Sequence, residues 1–508
     1  METRLLSGPR TRIVAALAGL ATLLGLLAGL SGRAYAEEAN HPGPPVFTAV
    51  TDTTVTFKWD PPPRPDEVLY YRIEQDFGTD IGITTGTTFT ATHLNVETEY
   101  HFAVVAVSGP GSGWSSRHMP VRTTGTVPPM PAKPVAMGVF AEEDSYERGF
   151  HVKELHTGGS ADRLTHLTYG YGTVSGGQCG IGDRYAALER TFTAEQSVSG
   201  RADTWDQPLR GHLNQLRELK ARHPNLKLLW SFGGPERAGD WAGARQRPGA
   251  FATSCQRLID DPRWAGLFDG IDLAMEYPPC QLAPCDLGGA GSVKALATQL
   301  RTVLGKDRTL TVTFGRRGGG DSVYGQSDFA GAAPLVDWYN VKTFDYYTPL
   351  DPHWAQKTAP AAPLDSSWNG LEYGRDANFE LRNLTAKGVH PNKVVVGLPT
   401  HAWGWQGIRS PSGPPGQYHA DGPVDGPSQR GLDDYRTVSA RCAPTGEMGK
   451  TAYAVCGSQL WTYDTPATVT GKVAYMKRYG LGGGFLSNLR GDTSRGELLT
   501  ALTNAFKP

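Results

Sequence analysis

The amino-acid sequence predicts an α/β chain in which a (β/α)8 TIM barrel with a small inserted subdomain follows an all-β sandwich. Three observations support this prediction. Eight short apolar runs alternate with helix-like segments in the larger, carboxyl-terminal part of the chain. A helix-poor stretch with period-two alternation precedes them, and the proline-rich segment 125–134 separates the two patterns as a semi-rigid linker.

Residues 1–36 carry the features of a signal peptide. Arg4, Arg10 and Arg12 precede an apolar run, and the small residues of Ala34–Ala36 offer a cleavage site. An uncleaved membrane anchor is the alternative, because a run of about 18 apolar residues is close to spanning length. We interpret the segment as a signal peptide, and we expect a secreted, extracellular protein with no membrane segment in its mature form.

Residues 42–124 have the pattern of a sandwich of short strands. The run TVTFKWDPP places Phe57 and Trp59 on one face, and the runs YYRIEQ and EYHFAVVAV repeat the alternation. Leu94 and Tyr100, in LNVETEY, resemble the tyrosine corner of fibronectin type III domains. The resemblance implies a spacer or polymer-docking module that carries no chemistry of its own.

Residues 135–508 contain the eight apolar runs. These runs begin at Val135, Leu164, Leu226, Leu267, Leu310, Val336, Lys393 and Gly480. Amphipathic stretches such as LRGHLNQLRELKAR lie between several of them, so we expect a (β/α)8 barrel with its active site where the strands end. The stretch from about 406 to 480 is too long for one loop and one helix, which predicts an inserted subdomain before the eighth strand.

Composition restricts the partners and the cofactors. The formal net charge of −1 over 508 residues gives no reason to expect a nucleic-acid partner. The six cysteines suit a secreted protein, and proximity in sequence favours Cys280 with Cys285, Cys442 with Cys456, and Cys179 with Cys255. No CxxC or HxxxH spacing supports a zinc site, so we expect disulfides, no metal and no cofactor.

Three motifs in the predicted barrel resemble those of glycoside hydrolase family 18, in particular the secreted chitinases of actinobacteria. SFGG at Ser231–Gly234 resembles the SxGG motif of the third strand. FDGIDLAMEYP at 268–278 resembles the DGxDxDxE motif of the fourth strand, and DWYNVKTFD at 337–345 resembles the MxYD motif of the sixth. The order and the spacing match along the whole barrel.

The resemblance implies retaining, substrate-assisted hydrolysis of chitin or another N-acetylglucosamine polymer. In the family, the last carboxylate of DxDxE protonates the glycosidic oxygen, and the N-acetyl carbonyl of the substrate attacks the anomeric carbon. The middle carboxylate holds the acetamido N–H and balances positive charge, while the MxYD tyrosine positions the acetamido carbonyl. Motif position makes Glu276, Asp272 and Asp345 candidate catalytic residues and Asp269 a candidate substrate-binding residue.

Several positions depart from the family pattern at the strand ends that face the sugar. Ala274 replaces the middle acid, and Phe344 replaces the tyrosine of MxYD. Lys342, Ser487 and Pro235 stand where the family has methionine, tryptophan and tryptophan. Because removal of one charge-stabilising group typically slows an enzyme by about 10²–10³, we expect slowed or altered catalysis.

Aromatic residues near the ends of the sixth and seventh strands are candidates for sugar binding. Tyr346, Trp403 and Trp405 would supply stacking faces, and core packing is the alternative role for each ring. Trp403 belongs to the sequence THAW, which differs from the aromatic-plus-arginine pattern of the family's seventh strand.

Three function classes stay open at this level. The first is a chitinase-like hydrolase with slowed or redirected chemistry. The second is a non-catalytic chitin- or glycan-binding protein that uses the barrel cleft, and the third is a protein-binding or inhibitory barrel. In the first two classes, the expected partner is chitin or an N-acetylglucosamine-containing polysaccharide, and the expected state is a monomer.

Overall fold

The computed structural model describes residues 40–76, 79–92, 94–109, 111–234, 241–275, 292–315, 328–365, 371, 375–409, 416–427 and 429–507. The predicted signal peptide lies outside these residues, as do Glu276, Cys280 and Cys285. Within the described ranges, no helix combines the length and the apolar character that crossing a membrane requires.

The region before the linker forms the predicted sandwich from two sheets. The first sheet contains Val46–Val50, Val55–Lys58 and Thr88–Ala91, and the second contains Tyr70–Gln75, Thr79–Thr84, Glu99–Gly109, Ser112–Ser115 and Met119–Arg122. Phe57 of the first sheet stacks on Phe102 of the second, with 5.2 Å between ring centroids. The backbone N–H of Asn95 donates to Tyr100 Oη at 2.7 Å, which confirms the predicted tyrosine corner.

Eight parallel strands close into the predicted barrel. They are Val135–Ala141, His166–Ser175, Lys227–Gly233, Gly270–Ala274, Thr309–Gly315, Trp338–Lys342, Val394–Pro399 and Gly483–Ser487. The first strand pairs in parallel with the second and with the eighth, so the sheet has no open edge. We refer to these strands by their order in the barrel.

The barrel interior combines an apolar layer with a polar one. Met137, Leu229, Trp338 and Phe485 meet inside as one buried cluster. Asp272 on the fourth strand and Thr311 on the fifth occupy inward positions between the strands of Leu229 and Trp338. A closed barrel of this size is filled by side chains, so these residues form a packed core and the ligand site lies where the strands end.

Helices surround the barrel and bury one face each. They are Asp144–Glu147, Val152–Thr157, Ser160–Arg163, Gly211–Arg222, Trp241–Gln246, Pro248–Ile259, Ser292–Leu304, Phe329–Ala332, Ala377–Ala386, Pro466–Arg478 and Glu497–Phe506. In Ser292–Leu304, Val293, Leu296, Ala297 and Leu300 are buried, which is the i, i+3, i+4, i+7 spacing of an amphipathic helix.

An antiparallel subdomain separates the seventh and eighth strands, as predicted. It contains the strands His401–Gln406, Gly422–Pro423, Leu432–Asp434, Gly446–Met448, Thr451–Cys456 and Gln459–Tyr463 and the helix Tyr435–Arg441. The subdomain begins at His401, earlier than the predicted position near 406, because the run HAWGWQ continues the chain as a strand directly after the seventh barrel strand.

Two of the three predicted disulfides lie within the described residues, and both are confirmed. Cys179 joins Cys255, with 4.9 Å between Cα atoms, and so ties a hairpin after the second strand to the helix Pro248–Ile259. Cys442 joins Cys456 inside the inserted subdomain, with 5.9 Å between Cα atoms.

Candidate active site

The polar layer of the barrel interior is centred on Asp272, which is 1% exposed. Its Oδ2 accepts a hydrogen bond from Ser231 at 2.6 Å. Its Oδ1 accepts from Thr311 at 2.6 Å, Thr313 at 2.8 Å and Asn340 at 3.2 Å. Burial raises the pKa of Asp272, and the four hydrogen bonds oppose that rise. The third, fifth and sixth strands therefore hold this carboxyl group inside the barrel.

Ala274 occupies the next inward position and ends the fourth strand. It is 1% exposed and lies in register with Gly233 of the third strand and Thr313 of the fifth. Inward side chains of one strand repeat about every 6.5–7 Å, so the carboxyl group of Asp272 stays one layer below. The fourth strand therefore presents a methyl group at the position that faces the ligand end of the barrel.

Phe344 stands just beyond the end of the sixth strand and is 4% exposed. Lys342 Nζ lies 5.5 Å from the centroid of its ring. The ring of His401 meets it edge-on, with 5.7 Å between centroids and 79° between planes. A phenylalanine ring has no hydrogen-bond donor, so this position gives a packing surface and no hydroxyl contact.

Asp345 follows Phe344 and has a left-handed backbone, with φ at 62°. Its Oδ1 accepts hydrogen bonds from His401 Nε2 and Trp403 Nε1, each at 2.7 Å. Burial raises the pKa of Asp345, but the hydrogen bonds from His401 and Trp403 and the charges of His401 and Lys342 outweigh it and lower the pKa to about 2. Asp345 is therefore an ionised carboxylate that orients two side chains of the inserted subdomain.

Comparison with known proteins identifies the family to which the chain belongs. The family model described as "Glycosyl hydrolases family 18" matches residues 136–492. The chain belongs to glycosyl hydrolase family 18. The model of the fibronectin type III domain matches residues 40–122 of this family 18 chain.

Chitinases are among the relatives of this family 18 chain. Chitinase 63 of Streptomyces plicatus is 38% identical over 480 residues, which cover 93% of this chain and 77% of that protein. Chitinase C of Streptomyces lividans is 39% identical over 468 residues, which cover 90% and 74%. The catalytic domain of the psychrophilic chitinase B from Arthrobacter TAD20 superposes with a TM-score of 0.67 at 26% identity, covering 74% of this chain and 97% of that domain. The protein is a chitinase-like member of family 18.

The three aromatic residues predicted to stack on sugars are buried in this family 18 barrel. Tyr346 is 3% exposed, Trp403 3% and Trp405 0%. Trp405 Nε1 donates to the backbone carbonyl of Trp354 at 2.7 Å, and its ring belongs to the core of the inserted subdomain. Tyr346 packs in a cluster with Tyr347 and Trp354. All three rings are packed among other side chains, and Trp403 Nε1 contacts Asp345.

Asp269 does not join the other predicted site residues. It precedes the first residue of the fourth strand, at the opposite end of the barrel from Ala274. Its carboxylate oxygens accept hydrogen bonds from Lys220 at 2.7 Å and Lys227 at 3.2 Å, and from the backbone of Leu228 at 2.8 Å. These contacts tie the fourth strand to its neighbours, so the observed contacts of Asp269 are structural.

Two groups of site residues were not predicted from the sequence. The donors around Asp272 include Thr311 and Thr313, and their alternation in TLTVTFG is a signal that could have placed both inside the barrel. His401 lies in the divergent sequence THAW, but its pairing with Asp345 spans 56 positions and carries no local signal. Among the described residues, no group of three or more His, Cys, Asp or Glu side chains could hold a metal ion.

Proposed function

We propose that this family 18 chain binds chitin or another N-acetylglucosamine polymer at the carboxyl end of its barrel and hydrolyses it slowly. The observation that carries the proposal is the commitment of Asp272 to four donors one layer below Ala274. Asp272 cannot reach the position of the missing acid without giving up those bonds. Family membership and the chitinases among the relatives support the ligand class.

The expected rate follows from the two groups that the site lacks. In the family, a carboxylate at position 274 and a hydroxyl at position 344 support the same cyclic intermediate. One preorganised group of this kind is worth about 10²–10³ in rate, and groups that act together are not additive. A loss of at least about 10³ relative to a complete family site is the consequence. Glu276 keeps the proposed role of proton donor on the basis of the motif alone.

Glycan binding without turnover is the second candidate, and the same substitutions favour it. A cleft that has lost support for the intermediate can still bind the polymer, because ground-state contacts and transition-state contacts are separate. In both cases, we propose a secreted monomer that acts outside the cell. The predicted signal peptide and the two disulfides support that location.

Two assays on the same preparation test the proposal. The first measures release of the fluorophore from a fluorogenic N-acetylglucosamine trimer at high protein concentration, with Glu276→Gln as the matched control. The second measures saturable pull-down on insoluble chitin. We expect saturable binding and slow turnover above the control. Turnover as fast as that of a Streptomyces chitinase assayed in parallel would overturn the slow-hydrolysis proposal, and absence of binding would overturn the ligand class. Binding with turnover equal to the control would favour the non-catalytic candidate.

A further inference from the structure

A carboxylate–imidazole pair stands at the ligand end of the barrel. Asp345 lies three residues after the sixth strand, and His401 lies two residues after the seventh. His401 Nε2 is 2.7 Å from Asp345 Oδ1, the same oxygen that accepts the indole N–H of Trp403. Ligands of (β/α)8 barrels bind at this end, on the segments that follow the strands.

The pair fixes which imidazole nitrogen carries the proton. Asp345 is ionised, since its pKa is lowered to about 2, and an ionised carboxylate can only accept hydrogen bonds. His401 Nε2 must therefore be the protonated nitrogen that donates to Asp345. In the neutral ring, Nδ1 then keeps its lone pair and is able to accept a hydrogen bond.

The imidazole is both held in place and partly accessible. The His401 side chain is 20% exposed. Its ring meets Phe344 edge-on at 5.7 Å and Trp403 edge-on at 6.1 Å. Packing on two sides and the hydrogen bond to Asp345 restrict its rotation. A preorganised polar group of this kind loses little conformational freedom when it binds a ligand.

We propose that His401 contacts the bound saccharide through Nδ1, which accepts a hydrogen bond from an acetamido N–H. Asp345 is then a positioning residue that sets the tautomer and the orientation of the ring. The inference rests on the proposed function, because it takes an N-acetylglucosamine oligomer as the ligand. His401 would give the site a polar contact beside Phe344, where the family's tyrosine hydroxyl is missing.

The contact makes binding depend on pH. Protonation of Nδ1 turns it from an acceptor into a donor, so affinity is high when His401 is neutral and falls as it is protonated. Four charged groups lie on the segments around the ring. Asp345 contacts it, Asp464 is close enough for an electrostatic interaction, and Asp434 is its register partner in the inserted sheet. Lys342 lies near the pair on the sixth strand and acts on Asp345.

Calorimetric titration of the full chain with tetra-N-acetylchitotetraose between pH 5 and pH 8 tests the inference. His401→Ala should weaken binding at pH 7.5 by about three- to tenfold, the value of one hydrogen bond. His401→Gln retains a donor for Asp345 and an acceptor for the sugar, so its affinity at pH 7.5 should be near that of the wild type. Its affinity should lose the dependence on pH that the wild type shows.

His156→Gln is the matched control. His156 lies on the helix Val152–Thr157, between the first and second strands, and pairs with His223 at 2.9 Å. This variant should keep the wild-type affinity and pH profile. If the wild type binds but His401→Ala binds equally well, or if His401→Gln keeps the wild-type pH profile, the inference is wrong. If the wild type does not bind at any pH, the proposed function fails and the inference fails with it. Thermal melts of each variant separate these results from misfolding.

Discussion

The hydroxyl of Thr313 donates a 2.8 Å hydrogen bond to Asp272, although Thr313 lies in register with Ala274 one layer higher. Thr311, which is level with Asp272, donates to the same oxygen at 2.6 Å. The fifth strand therefore directs the polar groups of two layers towards one buried carboxyl group. The hydroxyls of Thr311 and Thr313 are therefore both engaged in the barrel interior.

Asp272→Ala tests this interior network, because it leaves four donors without their acceptor. We expect the free energy of unfolding to fall by about 2–4 kcal/mol, the range for breaking a buried polar network. Asp272→Asn is the matched control, since burial already raises the pKa of Asp272 and a neutral group of the same shape should cost about 1 kcal/mol. Urea unfolding measures both, and equal losses would show that the hydrogen bonds matter little.

The burial of His212 should make the protein less stable in acid. It is fully buried, meets Phe140 edge-on at 5.4 Å, and has Nε2 3.1 Å from the hydroxyl of Ser145. Burial lowers its pKa from 6.5 to about 3. The unfolded chain takes up a proton at this side chain below pH 6.5, and the folded chain does not. The contribution of the neutral, buried His212 to the free energy of unfolding is therefore complete above pH 6.5, and it is lost as the pH falls towards 3.

His212→Gln should remove this contribution. We expect the change in unfolding free energy between pH 6 and pH 4 to be smaller in the variant, by about 1.4 kcal/mol per pH unit at most. Urea unfolding at the two pH values gives this change for the variant and for the wild type. A uniform destabilisation by the substitution does not affect the comparison. The same change in unfolding free energy for the variant and the wild type would contradict the prediction.

The sandwich should be dispensable for ligand binding. The barrel closes on itself through its first and eighth strands, and the sandwich has its own aromatic core around Phe57 and Phe102. A chain that starts at Val135 should therefore unfold cooperatively and bind chitin oligomers like the full chain. Residues 42–124 alone should fold as well. Aggregation of the shortened barrel, or loss of its binding, would show that the predicted boundary is wrong.

The mature, secreted protein should contain three disulfides and begin near Glu37. Two pairs, Cys179–Cys255 and Cys442–Cys456, are formed in the structure. The third predicted pair, Cys280–Cys285, lies outside the described residues. Intact mass before and after reduction should differ by the six hydrogens of three disulfides. Labelling of a thiol in the unreduced protein would count against this pairing.

The barrel could be predicted from the sequence because each strand is an apolar run of ordinary length. The position of Asp269 could also have been deduced, since alternation places it on the opposite face from Asp272. The motif, which includes both residues, suggested otherwise. The burial of Trp405 depends on the fold of the inserted subdomain, which the alternation of its short strands did not specify. The contact between Asp345 and His401 forms only when two distant segments meet at one end of the barrel.

We expect that the site lacks several coupled groups of the family and that the carboxylate replaced by Ala274 is only one of them. Ala274→Asp restores a carboxylate above Asp272, but Phe344 still offers no hydroxyl to the acetamido group. Lys342, the last residue of the sixth strand, keeps an ammonium group that would attract the new carboxylate, and Ser487 does not supply the sugar-stacking ring of the family. Small errors in the position of the reacting sugar are costly in rate. The four positions act on one bound sugar, so their effects should be strongly coupled.

The most direct measurement compares kcat/KM on a fluorogenic chitin oligomer for five variants, with Glu276→Gln as the background. The variants are the single changes Ala274→Asp, Lys342→Met, Phe344→Tyr and Ser487→Trp, and the chain that combines them. We predict that Ala274→Asp alone stays far below an efficient chitinase and that the combined chain gains much more than the product of the four single gains. If Ala274→Asp alone turned over the oligomer as fast as the combined chain, Ala274 would be the only defect, and the loss of several coupled groups would be disproved.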